Sequence, residues 1–399
     1  MGTLRRAVAA GSALVVGLAG GMVLAAGLVL ASAPTALAAG PAVTLAASAT
    51  SVRYGVAVTL SGEIDPPAAG ETVEVRDDAD ALLATTTTDA DGAFSLSLAL
   101  ERTTTLHAVW GSAVSDPVTV GVRAVVSVRM GPVRLFDVVR VRGSVGPALP
   151  GRRVRVALVR SGRVVAAEWA RVGSAGGFVA SFRVMRPGRY RARATFQTAS
   201  LLRGAALTSA DATPLPSLDV GSRGIFVRLL ERRLDELHYR IVGIDTVYDF
   251  RTGDAVLAFR KVQGMPRVTG VTAATWRALA DPLLPRPRLD TRAFHVEVDQ
   301  TTQVLYTVED RVVTNIIHVS TGANGATHDG SFRVYRKLAG YSPNRLYYPS
   351  YFDGLRAIHG WPEVPTYPAS HGCVRVPYWH GRWIFGLVPI GTRVVIYHS

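Results

Sequence analysis

The spacing of apolar positions changes several times along this chain, and each change marks a different kind of element. From Ala7 to Leu30 there is no alternation: the run is apolar or small throughout, preceded by Arg5 and Arg6 and followed by Ala36-Leu37-Ala38. That is the layout of an export signal over residues 1–38, and the run is also long enough for an uncleaved N-terminal anchor. From residue 41 apolar and polar residues alternate in short runs broken by Gly and Asp, which predicts half-buried strands. The pattern comes twice. Val58-Thr59-Leu60-Ser61-Gly62 recurs as Val139-Arg140-Val141-Arg142-Gly143, and Gly70 with Glu71 to Val75 recurs as Gly151 with Arg152 to Val156, each 81 positions later. A repeat of that length, made of strands and turns, predicts two tandem β-sandwich modules over 41–122 and 123–210.

After a Pro-containing linker the spacing turns helical. Val227, Leu229, Leu230, Leu234 and Leu237 fall on one broad stripe. Gly253 begins a second helix, and Thr272 is placed to cap a short third. Residues 217–281 therefore read as a small all-α unit. The prolines between 281 and 288 block helix propagation and favour an extended spacer, expected to hold the C-terminal region at a distance. Alternation returns from 289 to 399, with strands expected near 294–298, 304–308, 312–320, 331–335, 355–358 and 393–397. One helix is expected from Tyr378 to Leu387, with Pro377 at its start. The predicted fold class is multi-domain: two β-sandwiches, a three-helix unit, and a mostly-β C-terminal domain with one helix.

Composition changes this picture little. Of 44 Lys and Arg residues only Lys261 and Lys337 are lysine, in a chain of 399 residues with net charge +14. An arginine bias of this kind is no argument for nucleic acid, and no nucleic-acid partner is expected. Residues 41–122 carry eleven acids against three arginines; residues 123–203 carry seventeen arginines against Asp137 and Glu168. Outward strand positions must be polar, and either sign serves. The functional alternative is that the second module lies against an anionic cell wall polymer, or against the first module. Neither module holds residues that could do chemistry, so both read as spacers.

Cys373 is the only cysteine, so no intramolecular disulfide exists. A lone thiol is either buried and inert or used for its reactivity. Its surroundings favour use. Ile358-His359-Gly360 is followed, across a Pro-rich loop, by Ser370-His371-Gly372-Cys373-Val374-Arg375. A thiol attacks an amide carbonyl as thiolate, and a neighbouring imidazole can take its proton. His359 and His371 are both candidates. A zinc peptidase would need a His-Glu-x-x-His or comparable cluster, which the sequence lacks. No metal or other cofactor is expected. Trp361, Tyr367, Trp379 and Trp383 flank the motif and suit either a groove or a core.

The paired motifs resemble those of the L,D-transpeptidase (YkuD-like) family, whose signature is His-Gly, a loop, then Ser/Thr-His-Gly-Cys; the resemblance covers residues 289–399. Ser320-Thr321-Gly322 and Gly330-Ser331-Phe332-Arg333-Val334 also fit, while His328-Asp329 replaces the usual Thr-Pro. Leu218-x-x-Gly221-x-x-Gly224, Val227-x-x-Leu230, Ala255-Val256-x-x-Phe259 and Thr275-Trp276 resemble the small peptidoglycan-binding domain. There, Asp245-Thr246 and Tyr248-Asp249 depart from the usual Asp-Gly and Phe-Gly. The N-terminal modules resemble bacterial immunoglobulin-like domains. The resemblance implies a cysteine acyltransferase acting on peptidoglycan stem peptides, with Cys373 as nucleophile and His359 as base, its ring oriented by the Gly360 carbonyl. His371 would shape the site, and the amides of Gly372 and Cys373 would form an oxyanion hole. Ser370, Arg375, Trp361 and Tyr367 are the expected substrate contacts. The implied reaction cross-links two stems and releases D-alanine. The alternatives are a carboxypeptidase or endopeptidase on the same stems, and an inert wall-binding scaffold. The location implied is extracytoplasmic, with membrane contact only through an uncleaved N-terminal segment.

Overall fold

The computed structural model describes residues 40–399; the export-signal reading over 1–38 lies outside the described residues. Strands Ala57–Asp65 and Val138–Gly146 carry the repeated motif at the same offset, and both bury every second residue over their first half. Period-two burial of this kind follows from the pleat, which sends successive side chains to opposite faces. In the first module Ala57–Asp65 pairs with Ala93–Ala99, and Thr72–Asp77 pairs with Thr104–Trp110. In the second, Val138–Gly146 pairs with Gly177–Arg183, and Arg153–Arg160 with Arg189–Thr198.

The two modules are fused. Val118–Arg123 meets Leu201–Asp211 in parallel at Arg123 and Leu202, which joins one sheet from each module into a single ten-stranded sheet. A Cβ on Gly204 would sit 2.1 Å from the Ala124 carbonyl, so only glycine lets the backbones meet this closely. One apolar core runs through both modules, from Leu60 and Val120 to Val139, Val156 and Phe196. No ion pair joins the acids of the first module to the arginines of the second among the described residues.

Three helices follow: α1 (Ile225–Glu236), α2 (Phe250–Val262) and α3 (Ala273–Ala280). α1 buries the expected stripe of Val227, Leu229, Leu230 and Leu234. α2 begins three residues before Gly253, because Asp249 caps it: its carboxylate accepts from the Arg251 and Thr252 amides at 2.8 and 3.0 Å. α3 starts after Thr272, whose amide donates to the Thr275 hydroxyl at 3.1 Å.

The expectation that residues 281–288 hold the last region at a distance is corrected. They form neither helix nor strand, yet the helices pack directly on the C-terminal sheet. Leu230, Tyr239 and Phe259 share a core with Val304, Tyr306, Val308, Val313 and Ile316. Leu135 and Phe136 of the second module join the same core. These apolar strand faces need cover, and the amphipathic helices supply it.

The C-terminal region is built from two sheets and a helix. In the five-stranded sheet the order is Val312–His318, Val304–Glu309, His295–Asp299, Arg393–Tyr397 and Gly330–Arg333. The four-stranded sheet runs Arg336–Lys337, Tyr347–Asp353, Arg356–Trp361 and Val374–Pro377. α4 (Tyr378–Leu387) packs against this second sheet, with Pro377 as its N-cap. Tyr347–Asp353 and Val374–Pro377 were not foreseen as strands.

Candidate active site

The two sequence motifs meet because their strands are parallel neighbours. Arg356–Trp361 pairs in parallel with Val374–Pro377, placing Ile358 opposite Val374 and His359 opposite Arg375. Parallel neighbours cannot be joined by a tight turn; they need a crossover of roughly a dozen residues. The Pro-rich stretch between the motifs is that crossover. Since side chains alternate, His359 and Trp361 share a face with Cys373 and Arg375. His359 and Cys373 are then diagonal neighbours, a relation that keeps side chains within reach of each other.

That face lines a cavity of about 630 Å³, together with Ser370, His371, Asn344, Leu346, Leu355 and Arg356. Gly360, Gly372 and Tyr367 are not among its lining residues. Gly360 lies beneath it: a Cβ there would come within 2.9 Å of the Tyr347 ring and 3.1 Å of the Gly381 backbone on α4. Tyr367 is 61% exposed and takes part through its backbone, its carbonyl accepting from the Ser320 hydroxyl at 2.7 Å.

The His359 ring is buried, 1% exposed, and its Nδ1 donates to the Gly360 carbonyl at 3.0 Å. That bond leaves Nε2 unprotonated in the neutral ring. Trp361 stands edge-on to the ring, centroids 5.6 Å apart, and the Arg375 guanidinium lies over Trp361 at 4.9 Å. Burial pushes the His359 pKa down to about 4; the Gly360 carbonyl opposes this and Arg375 adds to it. The half-buried Cys373 thiol is pushed up by burial, and the Ala357 amide, Arg375 and Arg356 recover only part of the shift. Its sulfur lies 3.8 Å from the Leu355 carbonyl. The resting site therefore pairs a neutral thiol with a neutral imidazole.

Gly372 adopts φ +129°, and a Cβ on it would meet the Ala326 carbonyl at 2.8 Å and Arg356 Nε at 2.9 Å. Its amide donates to the Ser370 hydroxyl at 3.0 Å, and that hydroxyl donates to the Cys373 carbonyl at 2.6 Å. Ser370 thus knots the turn that presents the sulfur, and the Gly372 amide is committed within it.

A family model described as the L,D-transpeptidase catalytic domain matches residues 293–396. A solved L,D-transpeptidase from Xylanimonas cellulosilytica DSM 15894 is 37% identical over 46% of this chain and 100% of its own, with a TM-score of 0.44. The chain belongs to the L,D-transpeptidase family. A peptidoglycan binding domain model matches residues 223–279. Also similar are an L,D-transpeptidase from Stackebrandtia nassauensis (24% identical, 47% of this chain and 98% of that one, TM-score 0.30) and one from Mycobacterium smegmatis (13%, 69% and 98%, TM-score 0.24). No curated protein matches the chain.

Sequence reasoning missed Arg356 in this transpeptidase. Its Nε donates to the Ala326 carbonyl at 2.7 Å, and its guanidinium meets Asp353 at 3.0 Å and His328 Nε2 at 2.9 Å. His328 in turn pairs with Asp353 at 3.1 Å. The departure from the family pattern at His328-Asp329 is thus tied to the cavity wall, while Asp329 accepts from Gln300 at 2.7 Å and contacts His398 at 3.0 Å. The one available signal was an arginine three residues before His359 at the head of a strand. Asn344 and Leu346 sit in a loop that carries no motif.

Proposed function

We propose that Cys373 is the acylated nucleophile of a transpeptidase that cross-links peptidoglycan stems. The observation that carries this reading is the buried His359 ring, pinned through Nδ1 to Gly360, on the same sheet face as the sole thiol. His359 Nε2 takes the thiol proton as sulfur attacks the carbonyl of the third stem residue. The amide bond to the terminal D-alanine breaks, and the imidazolium returns the proton to the leaving amine. An amine of a second stem then attacks the thioester, giving its proton to His359, and frees the thiol. One acyl bond is exchanged for another, so no external energy source is required. Export by the N-terminal apolar segment would bring the enzyme to this substrate.

With the Gly372 amide held by Ser370, the oxyanion rests on the Cys373 amide until substrate rearranges the turn; one such donor is worth roughly 3 kcal/mol. Arg375 and Trp361 line the groove beside the sulfur and would contact the stem, and exposed His371 would stand at its mouth. Intact-mass analysis with a carbapenem tests the reading. A single adduct on Cys373, absent in Cys373→Ala, is expected; an unmodified thiol under saturating drug would overturn it. Muropeptide mass spectrometry then identifies the new bond as a third-to-third-residue cross-link.

A further inference from the structure

The crossover from Pro362 to Ala369 delivers the chain to the nucleophile, and it has little means of holding itself in place. Pro362, Pro365 and Pro368 lack an N–H, so the segment cannot build a ladder of its own. Apart from the Ala369 amide, which donates to the Thr321 carbonyl, it is held by its own carbonyls. Ser320 donates to Tyr367 at 2.7 Å. The other two grips originate in the peptidoglycan-binding domain. Arg267, just beyond α2, donates to the Thr366 carbonyl and to the Thr301 carbonyl, each at 2.7 Å. Lys261, the buried penultimate residue of α2, reaches the catalytic domain with its ammonium.

The Lys261 contacts fix where the protons lie. Nζ lies 2.9 Å from the Gln303 carbonyl, 3.1 Å from the Val319 carbonyl and 2.6 Å from His318 Nδ1. His318 Nε2 lies 2.9 Å from the Val364 carbonyl. A carbonyl only accepts, so Nε2 carries the ring proton and Nδ1 is the acceptor. Lys261 then needs three N–H groups for three acceptors, which an ammonium has and a neutral amine lacks. Burial pushes Lys261 down to about 6 and His318 well below its ordinary value, so of the two it is Lys261 that holds the proton.

We infer that the helical domain is a working part of the catalytic site: Lys261, through His318 and Val364, and Arg267, through Thr366, are positioning residues for the crossover that places Cys373. The adjoining residues pass the constraint on. The Ala369 and Ser370 amides both donate to the Thr321 carbonyl, at 2.9 and 3.0 Å, and Ser370 closes the turn on Cys373. Neither positioning residue lines the cavity. The two grips are backbone contacts, so they set the path of the crossover whatever its side chains are. A domain whose family assignment is binding therefore also sets the geometry of acylation.

The inference rests on Cys373 being the acylated residue, and the test separates the two. Full-length enzyme is mixed with a carbapenem, and the single-turnover acylation rate and its half-saturating concentration are measured. Wild type, Arg267→Ala, Arg267→Lys and Lys261→Met are compared. Arg267→Ala and Lys261→Met are expected to lower the maximal acylation rate about 10- to 100-fold, the scale of a 1 Å misplacement, with half-saturation changed less than threefold. Arg267→Lys, which keeps the charge and one donor nitrogen, should recover most of the rate. Folding is followed by circular dichroism. Arg267 lies at the surface, so its variant remains informative even if Lys261→Met does not fold. Rates within twofold of wild type in folded Arg267→Ala, or no recovery in Arg267→Lys, would overturn the inference. Failure of the wild type to acylate would instead overturn the assignment of Cys373.

Discussion

At the scale of the residue, the protonation of two side chains sets the behaviour of the site. A thiolate–imidazolium pair would react with alkylating agents at a constant rate across neutral pH. Here the thiol lies above its usual pKa and the imidazole is held down to about 4, so both are neutral near pH 7. We expect the iodoacetamide rate of Cys373 to climb steadily from pH 6 to 9 with no plateau; a plateau below pH 7 would refute the neutral pair. In acylation, by contrast, His359 is needed as base. His359→Gln keeps a polar side chain of similar reach but removes the base, and should lower the acylation rate by about 10²- to 10⁴-fold. Gly372 is subject to a different constraint. Its φ of +129° and the 2.8 Å clearance to Ala326 leave no room for a methyl group. Gly372→Ala should abolish acylation while leaving the distant sandwiches folded, as circular dichroism would show.

At the scale of the element, the spacing of the two motifs is a consequence of parallel pairing. His359 and Cys373 are as far apart in sequence as a crossover requires and adjacent in space because of it. The residues themselves were legible, since His359-Gly360 and Ser370 to Cys373 form an ordered set around a single thiol. The helices were legible too, because Val227 to Leu234 follow a 3.6-residue period. What could not be read was Tyr347–Asp353, whose aromatic run Tyr347-Tyr348 and Tyr351-Phe352 shows no alternation: it is buried on both faces. Nor was Val374–Pro377 legible, being four residues long and ended by proline. The contribution of Arg356 depends on tertiary contacts with Ala326 and Asp353 that no local pattern encodes. Gly360 marks a further close approach, between the strand and α4. Gly360→Ala must push against Tyr347 and Gly381, and should cost about 1–3 kcal/mol in denaturant unfolding.

At the scale of the whole molecule, the chain is more continuous than beads joined by spacers. The helical domain shares one core with the catalytic sheet and with Leu135 and Phe136 of the second sandwich. The two sandwiches share another. Their junction is specific: the Thr103 amide donates to the Ser200 carbonyl at 2.9 Å, and the Ala124 amide to the Leu202 carbonyl at 3.2 Å. Leu202 also lies so close to Gly121 that a Cβ there would come within 2.5 Å of its side chain. Deleting residues 41–122 removes the Thr103 and Gly121 sides of these contacts, and each large apolar side chain newly exposed costs about 1.5–3 kcal/mol. Independent modules would melt separately, and the loss of one would leave the other's midpoint unchanged. The shared core instead predicts one calorimetric transition for both sandwiches in the full chain. In the truncated chain the second sandwich should melt several degrees lower, since about 1 kcal/mol moves the midpoint of a domain this size by roughly 4–8 °C. An unchanged midpoint after the deletion would show that the joint sheet bears no weight and that the first module is a detachable spacer.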